Sequence, residues 1–457
     1  MRGAGARPVD VRRLGGGRGQ PSRTLQWLVV AGCALLAWMA RQYYVDTVVI
    51  DGPIRGDAVA YFSYASNLAE HGVFSSARPG SGEPRVPDSY RDPGYPLLVA
   101  ALMRLLGVEA WYPALLQLQA ALGAATVGLA LALGRRWLTT SWLVAAGILM
   151  ALWPHSITIT SYFLTETLAG FLSLLWLWLL ATVGRDWRGA LLAGLVAGMA
   201  GLVNAVLLPA AAIIAMLLWV TGKAWRGAAA ALLLGSLVLP GAWAVRGLEL
   251  EQDATVTTSS SGRASQNLIQ GSWPEYHDSW RACIHGDPGA CEVQKRINGE
   301  ITLLHATPAA GVREAVSRMQ ADPLKYARWY AAKPFLLWDW SIRMGEGDVF
   351  VYPAIESAYR ANAVYRASSA IAYTLNPWLF VLAAAFCAGV ALGWRVAAPE
   401  AVALAAFLLY VTGVFWIFQS EPRYSIPFRS LQLLASVAAL MAASGWLRAR
   451  REEASSL

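Results

Sequence analysis

The chain has 457 residues, of which 56% are hydrophobic and 14% are charged. A soluble core of that size could not bury so much apolar surface, so the composition excludes a soluble globular protein and predicts an integral membrane protein. The formal net charge is +8, but Arg and Lys lie largely at the ends of apolar runs, where they orient membrane spans, so nucleic acid is not an expected partner.

The first residues, 1–23, are rich in Gly and Arg without a hydrophobic period, which predicts a disordered cytosolic tail. Apolar segments then alternate with basic clusters. Placing each cluster in the cytosol by the positive-inside rule predicts about ten spans with both termini cytosolic, in a bacterial inner or plasma membrane. The predicted spans are 25–40, 114–133, 142–159, 166–183, 190–203, 205–220, 228–245, 371–392, 402–418 and 426–446.

These spans divide the chain into a membrane core at 24–245 with a first outer loop at 46–111, an extracytoplasmic domain at 246–370, C-terminal spans at 371–447 and a cytosolic tail at 448–457. The predicted fold is mainly α, with surface helices in the first outer loop and a small mixed outer domain. In that domain, residues 255–271 resemble strand and loop. Cys283 and Cys291 also lie there, and an oxidised pair outside the cell is the economical interpretation.

The first outer loop contains the densest group of polar, potentially reactive side chains. Asp57 precedes apolar residues spaced by three and four, which predicts a helix that ends at His71 and Gly72. A second apolar segment begins after Arg91 and runs to about Leu106. At about 1.5 Å per residue it is too short to cross a bilayer, so both segments are predicted to lie on the membrane surface.

Six short motifs follow one another along almost the whole chain between the two tails. They are Gly56-Asp57 with Tyr61 and Ala65; Arg91-Asp92-Pro93-Gly94-Tyr95-Pro96; Leu164-Thr165-Glu166-Thr167; Trp243-Ala244-Val245-Arg246; Asn267-Leu268-Ile269-Gln270-Gly271; and Glu421-Pro422-Arg423-Tyr424-Ser425-Ile426-Pro427. Their order resembles the GT-C superfamily of integral membrane glycosyltransferases, in particular the bacterial relatives of the protein O-mannosyltransferases and of the lipid A aminoarabinose transferase.

The resemblance implies transfer of a sugar from a polyprenyl-phosphate donor, with Asp57 at the catalytic position. Relatives often have two adjacent acids there, whereas Asp57 is followed by Ala58. No cofactor is therefore certain, and a divalent metal shared by Asp57 and Glu166 is an open alternative. The topology independently brings Asp57, Glu166, Arg91, Glu421 and Arg423 to one membrane face, as an active site requires.

The hypothesis is an inverting hexosyl- or pentosyltransferase on the extracytoplasmic face, acting on a hydroxyl of an envelope glycan, lipid or protein. Asp57 is the expected general base, and Glu166 is the second candidate catalytic acid. Arg91 and Arg423 are expected to stabilise the leaving phosphate. The other expected substrate-binding residues are Tyr61, Tyr95, Glu421 and Tyr424.

Structural alternatives remain for each of these residues. Asp57 could be a helix N-cap, Glu166 a first-turn acid favoured by the helix dipole, and the two arginines interface anchors. At the level of the whole chain, the alternatives are a lipid or solute transporter and a non-catalytic subunit of the same fold. A transporter usually keeps ionisable groups near the bilayer midplane, and these spans carry almost none.

Overall fold

The structure, a computed structural model, describes residues 23–251, 260–393 and 398–455. Residues 1–22 of the predicted tail and residues 255–259 of the predicted strand and loop lie outside the described residues. The helices in chain order are α1 Arg23–Thr47, α2 Asp57–His71, α3 Gly94–Gly134, α4 Thr140–Ala151, α5 Pro154–Thr158, α6 Glu166–Val183, α7 Trp187–Val203, α8 Leu208–Thr221, α9 Arg226–Glu251, α10 Ser260–Ser272, α11 Tyr276–Ile284, α12 Pro288–Ala306, α13 Pro308–Ala321, α14 Pro323–Leu337, α15 Ala358–Ala361, α16 Ala363–Leu392, α17 Pro399–Ile417, α18 Pro422–Ser425 and α19 Arg429–Ser455.

Seven helices within the described ranges are long and apolar enough to cross a membrane, or eight if α4 and the segment after it, bent by 56°, form one broken span. The seven are Arg23–Thr47, Gly94–Gly134, Glu166–Val183, Lys223–Leu250, Ala363–Leu392, Pro399–Ile417 and Pro422–Ser455. Two shorter apolar helices, Trp187–Val203 and Ala205–Thr221, coincide with two further predicted spans. The prediction of a mainly helical, polytopic membrane protein is confirmed, whereas the count of ten spans is not.

The helix α3 combines two segments that the sequence analysis separates. The predicted surface helix up to Leu106 and the predicted span at 114–133 form one helix with a sharp kink at Gly107, where φ is 76° and ψ is 179°. Glycine adopts this positive φ without the steric penalty that a Cβ would impose. Leu105 and Val108 flank the kink and are 79% and 89% exposed, which suits side chains that face lipid.

Close helix contacts fix the core around small residues. Gly194 of α7 and Gly235 of α9 face each other's backbones, and a Cβ on either would lie 2.3 or 2.4 Å from a carbonyl oxygen of the opposite helix. Such small residues allow membrane helices to approach closely and gain dispersion contacts. Gly194 and Gly235 therefore allow the close packing of α7 on α9.

Most of the domain that was predicted to lie outside is helical, which corrects part of the prediction. Residues 260–271, predicted as strand and loop, belong to α10. Ile269 of α10 is buried against Trp273 and Ile297, and this packing outweighs the weak helix propensity of a Ser-rich segment. Two short strands occur among the described residues, β1 Val49–Ile50 and β2 Ala354–Glu356, and they pair antiparallel. Cys283 and Cys291 form a disulfide between α11 and α12.

Candidate active site

The start of α2 sets the position of Asp57. Gly56 precedes it with a φ of 56° and is the N-cap residue, without a side-chain cap. Asp57 is therefore the first residue of the helix, and its carboxylate is bonded elsewhere, so the N-cap alternative is wrong. A buried cluster that includes Ala58 and Ala65 packs α2 against the bundle.

The loop after α2 brings Arg91 to Asp57. Asn67 fixes this loop by donating to the carbonyl oxygens of Ser75 (2.9 Å) and Ala77 (2.7 Å). At the end of the loop, Nη2 of Arg91 donates to Oδ1 of Asp57 at 3.0 Å. The Arg91 guanidinium lies 5.3 Å from the ring centroid of Tyr61. Tyr61 therefore supports Arg91 by a cation–π contact.

Arg423 joins the two acids of the site. It lies in α18, one turn before the last span, and Glu166 is the first residue of α6. Nε of Arg423 donates to Oε1 of Glu166 at 2.5 Å, and its Nη2 donates to Oδ2 of Asp57 at 3.3 Å. Asp57 thus accepts from a different guanidinium at each oxygen, which is the charge-assisted geometry that arginine provides best.

The four charged side chains differ in accessibility. The Asp57 side chain is 38% exposed, whereas the side chains of Arg91, Arg423 and Glu166 are 15%, 12% and 7% exposed. Burial alone would raise the pKa of Asp57, but the guanidiniums of Arg423 and Arg91 outweigh it and lower that pKa below its usual range. Asp57 is therefore ionised at neutral pH and is the acid that a substrate can reach.

A second ion pair lies beside the first and was missed by sequence reasoning. Nη1 of Arg263 is 3.5 Å from Oδ2 of Asp92, which also accepts from the backbone N–H of Ala205 at 3.2 Å. Arg263 also contributes to lowering the Asp57 pKa. Arg263 lies in α10, so a correct prediction of helix for residues 260–271 could have identified it as a site residue.

Three predicted substrate-binding residues lie apart from this cluster. Tyr95 is fully buried beneath Tyr61, and its hydroxyl donates to Gln119 at 3.2 Å. Glu421 turns away and accepts from the backbone N–H groups of Arg343 (2.8 Å) and Met344 (3.2 Å). The Tyr424 ring stacks on Phe415. Each of the three packs against or bonds to the protein itself and supports the site from behind.

The cluster does not fit the divalent metal left open by the sequence. Among the described residues no group of three His, Cys, Asp or Glu side chains is arranged to hold a metal ion. Both Asp57 oxygens and Oε1 of Glu166 already accept from guanidiniums.

Fold and site together define a multi-pass helical membrane protein with a half-buried carboxylate set between two less exposed arginines. No protein-family model matches the sequence, and no protein of curated function matches it in sequence. The fold is similar to that of the oligosaccharyltransferase AglB from Archaeoglobus fulgidus, solved with an inhibitory peptide and a dolichol-phosphate: the TM-score is 0.47, the identity is 14%, and the match covers 94% of this chain and 52% of that chain. This chain therefore spans about half the length of AglB.

The fold is also similar to that of ArnT from Cupriavidus metallidurans. The match to apo ArnT has a TM-score of 0.35 and 14% identity over 90% of this chain and 76% of that chain. The match to ArnT bound to undecaprenyl phosphate has a TM-score of 0.36 and 13% identity over 93% and 79%. Both are likenesses of fold alone. At these identities and TM-scores the likenesses assign no residue roles.

Proposed function

We propose that the protein is an inverting glycosyltransferase that moves a sugar from a polyprenyl-phosphate donor to an acceptor hydroxyl on the extracytoplasmic face of the membrane. The observation that carries the proposal is the exposed Asp57 carboxylate between the buried guanidiniums of Arg91 and Arg423. This arrangement offers a proton acceptor and a phosphate site within one cluster, as transfer from a sugar phosphate requires.

In the proposed step, Asp57 takes the proton of the acceptor hydroxyl while the oxygen of that hydroxyl attacks the anomeric carbon of the sugar. The bond between that carbon and the phosphate oxygen breaks on the opposite face, which inverts the configuration, and the electron pair leaves on the phosphate. A phosphate monoester anion is a stable leaving group, so it needs positive charge more than a proton. Arg91 supports this role because its Nε is buried without a hydrogen-bond partner among the described residues.

Donor binding would also activate Asp57. While both guanidiniums contact Asp57, its lowered pKa makes it a weak base. A donor phosphate competes for the same N–H groups, and each contact that shifts from Asp57 to phosphate raises the proton affinity of the carboxylate. The donor is therefore expected to bind before the acceptor, and the acid becomes an effective base when the leaving group is in place.

The decisive variant is Asp57→Asn. The amide keeps the shape of the side chain but accepts a proton poorly, so turnover should fall by about two to four orders of magnitude while donor binding is largely kept. Transfer is measured in purified protein in nanodiscs supplied with radiolabelled polyprenyl-phosphate sugars.

Glu70→Gln is the matched control. Glu70 lies near the end of the same helix, is 63% exposed at its side chain and bonds to Ser66 outside the cluster. Its variant should transfer at the parental rate. Parental turnover by folded Asp57→Asn would refute the assignment of Asp57 as the base.

A further inference from the structure

A small cavity with both polar and apolar lining lies among the helices next to the proposed catalytic cluster. Its volume is about 30 Å³. It is lined by residues of α1, α3, α5 and α6, by the segment after α5, and by the start of the last span: Arg41, Gly123, Thr126, Ser156, Ile159, Glu166, Thr167, Gly170, Ile426, Pro427 and Ser430. Glu166 belongs both to this cavity and to the ion pair with Arg423.

Three buried polar atoms on the cavity walls have no hydrogen-bond partner within the described part of the chain. They are Nε of Arg41, Oε2 of Glu166 and Oγ1 of Thr167. The three residues are only 1%, 6% and 6% exposed, so bulk solvent does not satisfy these atoms. Orphaned buried polar atoms are rare and costly in native proteins, and three around one cavity indicate an occupant that hydrogen-bonds to all of them.

The size and chemistry of the cavity fit water. A buried water needs about 10 to 15 Å³ of such volume and two to four polar partners, so the space accommodates about two molecules. Small residues keep the space open: a Cβ at Gly123 would lie 2.7 Å from Nε of Arg41, and a Cβ at Gly170 would lie 2.7 Å from the carbonyl oxygen of Pro427. Any residue larger than glycine at either position would crowd the cavity.

We propose that about two buried waters in this cavity link Arg41 to Glu166 and Thr167, which makes Arg41 a positioning residue for the proposed transfer site. The inference rests on the proposed function. The free Nε of Arg41 donates to a water, and a water donates to Oε2 of Glu166. Oε2 of Glu166 is thereby held in place, and the Glu166–Arg423 pair keeps Nη2 of Arg423 directed at Asp57. The other charged or titratable groups near Glu166 are Arg423, Asp57, Tyr61, Tyr95 and Tyr352.

Hydration is tested independently of transfer by X-ray radiolytic footprinting of the full-length protein in nanodiscs. Ile159 and Ile426 line the cavity and are 4% exposed each, so hydroxyl radicals oxidise them during a sub-millisecond exposure if ordered water lies beside them. Oxidation of both is expected. Protection equal to that of Leu174 and Leu404, which are fully buried and do not line the cavity, would overturn the proposal.

The linkage to Glu166 is tested by the steady-state kinetics of transfer. Thr167→Val and Arg41→Met weaken the water network, so the Glu166–Arg423 pair loses its fixed position, and kcat should fall by about tenfold. Thr167→Ser keeps the hydroxyl and should restore the parental kcat. Thr126→Val is the control, because Thr126 lines the same cavity but its Oγ1 already donates to the carbonyl oxygen of Leu122 at 2.8 Å. It should leave kcat unchanged.

Two outcomes distinguish a failure of the positioning role of Arg41 from a failure of the proposed function. If Thr167→Ser lowers kcat as much as Thr167→Val does, or if Arg41→Met leaves kcat unchanged, the positioning role is refuted. If the parental protein transfers no sugar, the proposed function fails, while footprinting still decides whether the cavity is hydrated.

Discussion

At the scale of single residues, Arg423 is the most constrained group in the candidate site. One guanidinium satisfies two carboxylates from different helices, with Nε on Glu166 and Nη2 on Asp57. Removing it would leave two acids near each other without their shared cation, which is costly for buried or half-buried charges. Arg91 contacts one acid and keeps a free Nε. Arg423 therefore holds the two acids together, whereas Arg91 keeps one N–H free for a ligand.

Arg91→Ala and Arg423→Ala should both weaken binding of a lipid phosphate, by about tenfold to a hundredfold, the range for a lost charged hydrogen bond. Arg423→Lys should restore binding only in part, because an ammonium replaces a two-pronged guanidinium. Binding of farnesyl phosphate to the protein in nanodiscs measures the effect, with farnesol to subtract the contribution of the lipid tail.

Arg104→Ala is the matched control for these variants. The Arg104 guanidinium donates to backbone carbonyls at the end of α2, outside the cluster. Its variant should bind farnesyl phosphate as the parent does. Equal affinity in all the arginine variants would return Arg91 and Arg423 to the role of interface anchors.

The sequence was enough to predict that four charged residues converge, because each lies beside the start of a helix that the basic clusters orient to the same face. They are Asp57, Glu166, Arg91 and Arg423. The direction of the Glu421 side chain was not predictable from the sequence. Its partners, the N–H groups of Arg343 and Met344, lie in a loop nearly eighty residues away, and no local pattern records that contact.

At the scale of elements, buried polar contacts join the outer helices to the last two spans. Nζ of Lys333 in α14 donates to the carbonyl oxygens of Gly271 (2.9 Å) and Phe418 (2.6 Å). Just beyond, Oε2 of Glu421 is 3.7 Å from Nε2 of His277 in α11. Burial raises the pKa of Glu421 to about 7 and lowers the pKa of His277 to about 4. A protonated Glu421 facing a neutral His277 therefore suits neutral or mildly acidic conditions.

The raised pKa of Glu421 predicts a pH-dependent stability. Its contribution is fully present below the unfolded pKa, near 4.5, and is lost as the pH rises through about 7. Glu421→Gln removes this titration but keeps an acceptor for the two backbone N–H groups. The melting temperature of the variant relative to the parent should therefore increase between pH 5 and pH 8.

The measurement is thermal unfolding of purified protein in detergent at several pH values. His277 contributes in the opposite direction, since its lowered pKa favours folding as the pH rises from about 4 to 6.5. That contribution is largely shared by the variant and the parent, so the difference isolates Glu421. A difference that stays constant across the pH range would show that Glu421 does not titrate there.

The type of a secondary-structure element was predictable where one hydrophobic period dominated its sequence. The helix from Asp57 to His71 follows from its apolar spacing and the glycine after it, and the structure has these bounds. Two elements were not predictable in this way. The Ser-rich residues of α10 are helical because Ile269 packs on the outer helices, and α3 continues through Gly107 because glycine permits the kink.

At the scale of the whole molecule, the fold gathers chain segments that are hundreds of residues apart. Arg423 bonds to Asp57 across a sequence separation of 366 residues and to Glu166 across 257. Such contacts form only when the spans are inserted with alternating orientation, so the site depends on topology as much as on packing. The side of the membrane that carries this site is therefore the property of the molecule that most directly tests the proposed function.

The last prediction places the loop between α2 and α3 outside the cell and the α6–α7 turn in the cytosol. Cysteines at Ser81 and at Arg185, both in exposed turns, report the two sides. A membrane-impermeant maleimide should label Ser81→Cys in intact cells, and Arg185→Cys only after permeabilisation. Background should be low, because Cys33 and Cys387 are buried and Cys283 and Cys291 are paired. The reverse pattern would put Asp57 on the cytosolic side, where nucleotide sugars rather than polyprenyl-phosphate sugars would be the natural donors, and the proposed reaction would fail.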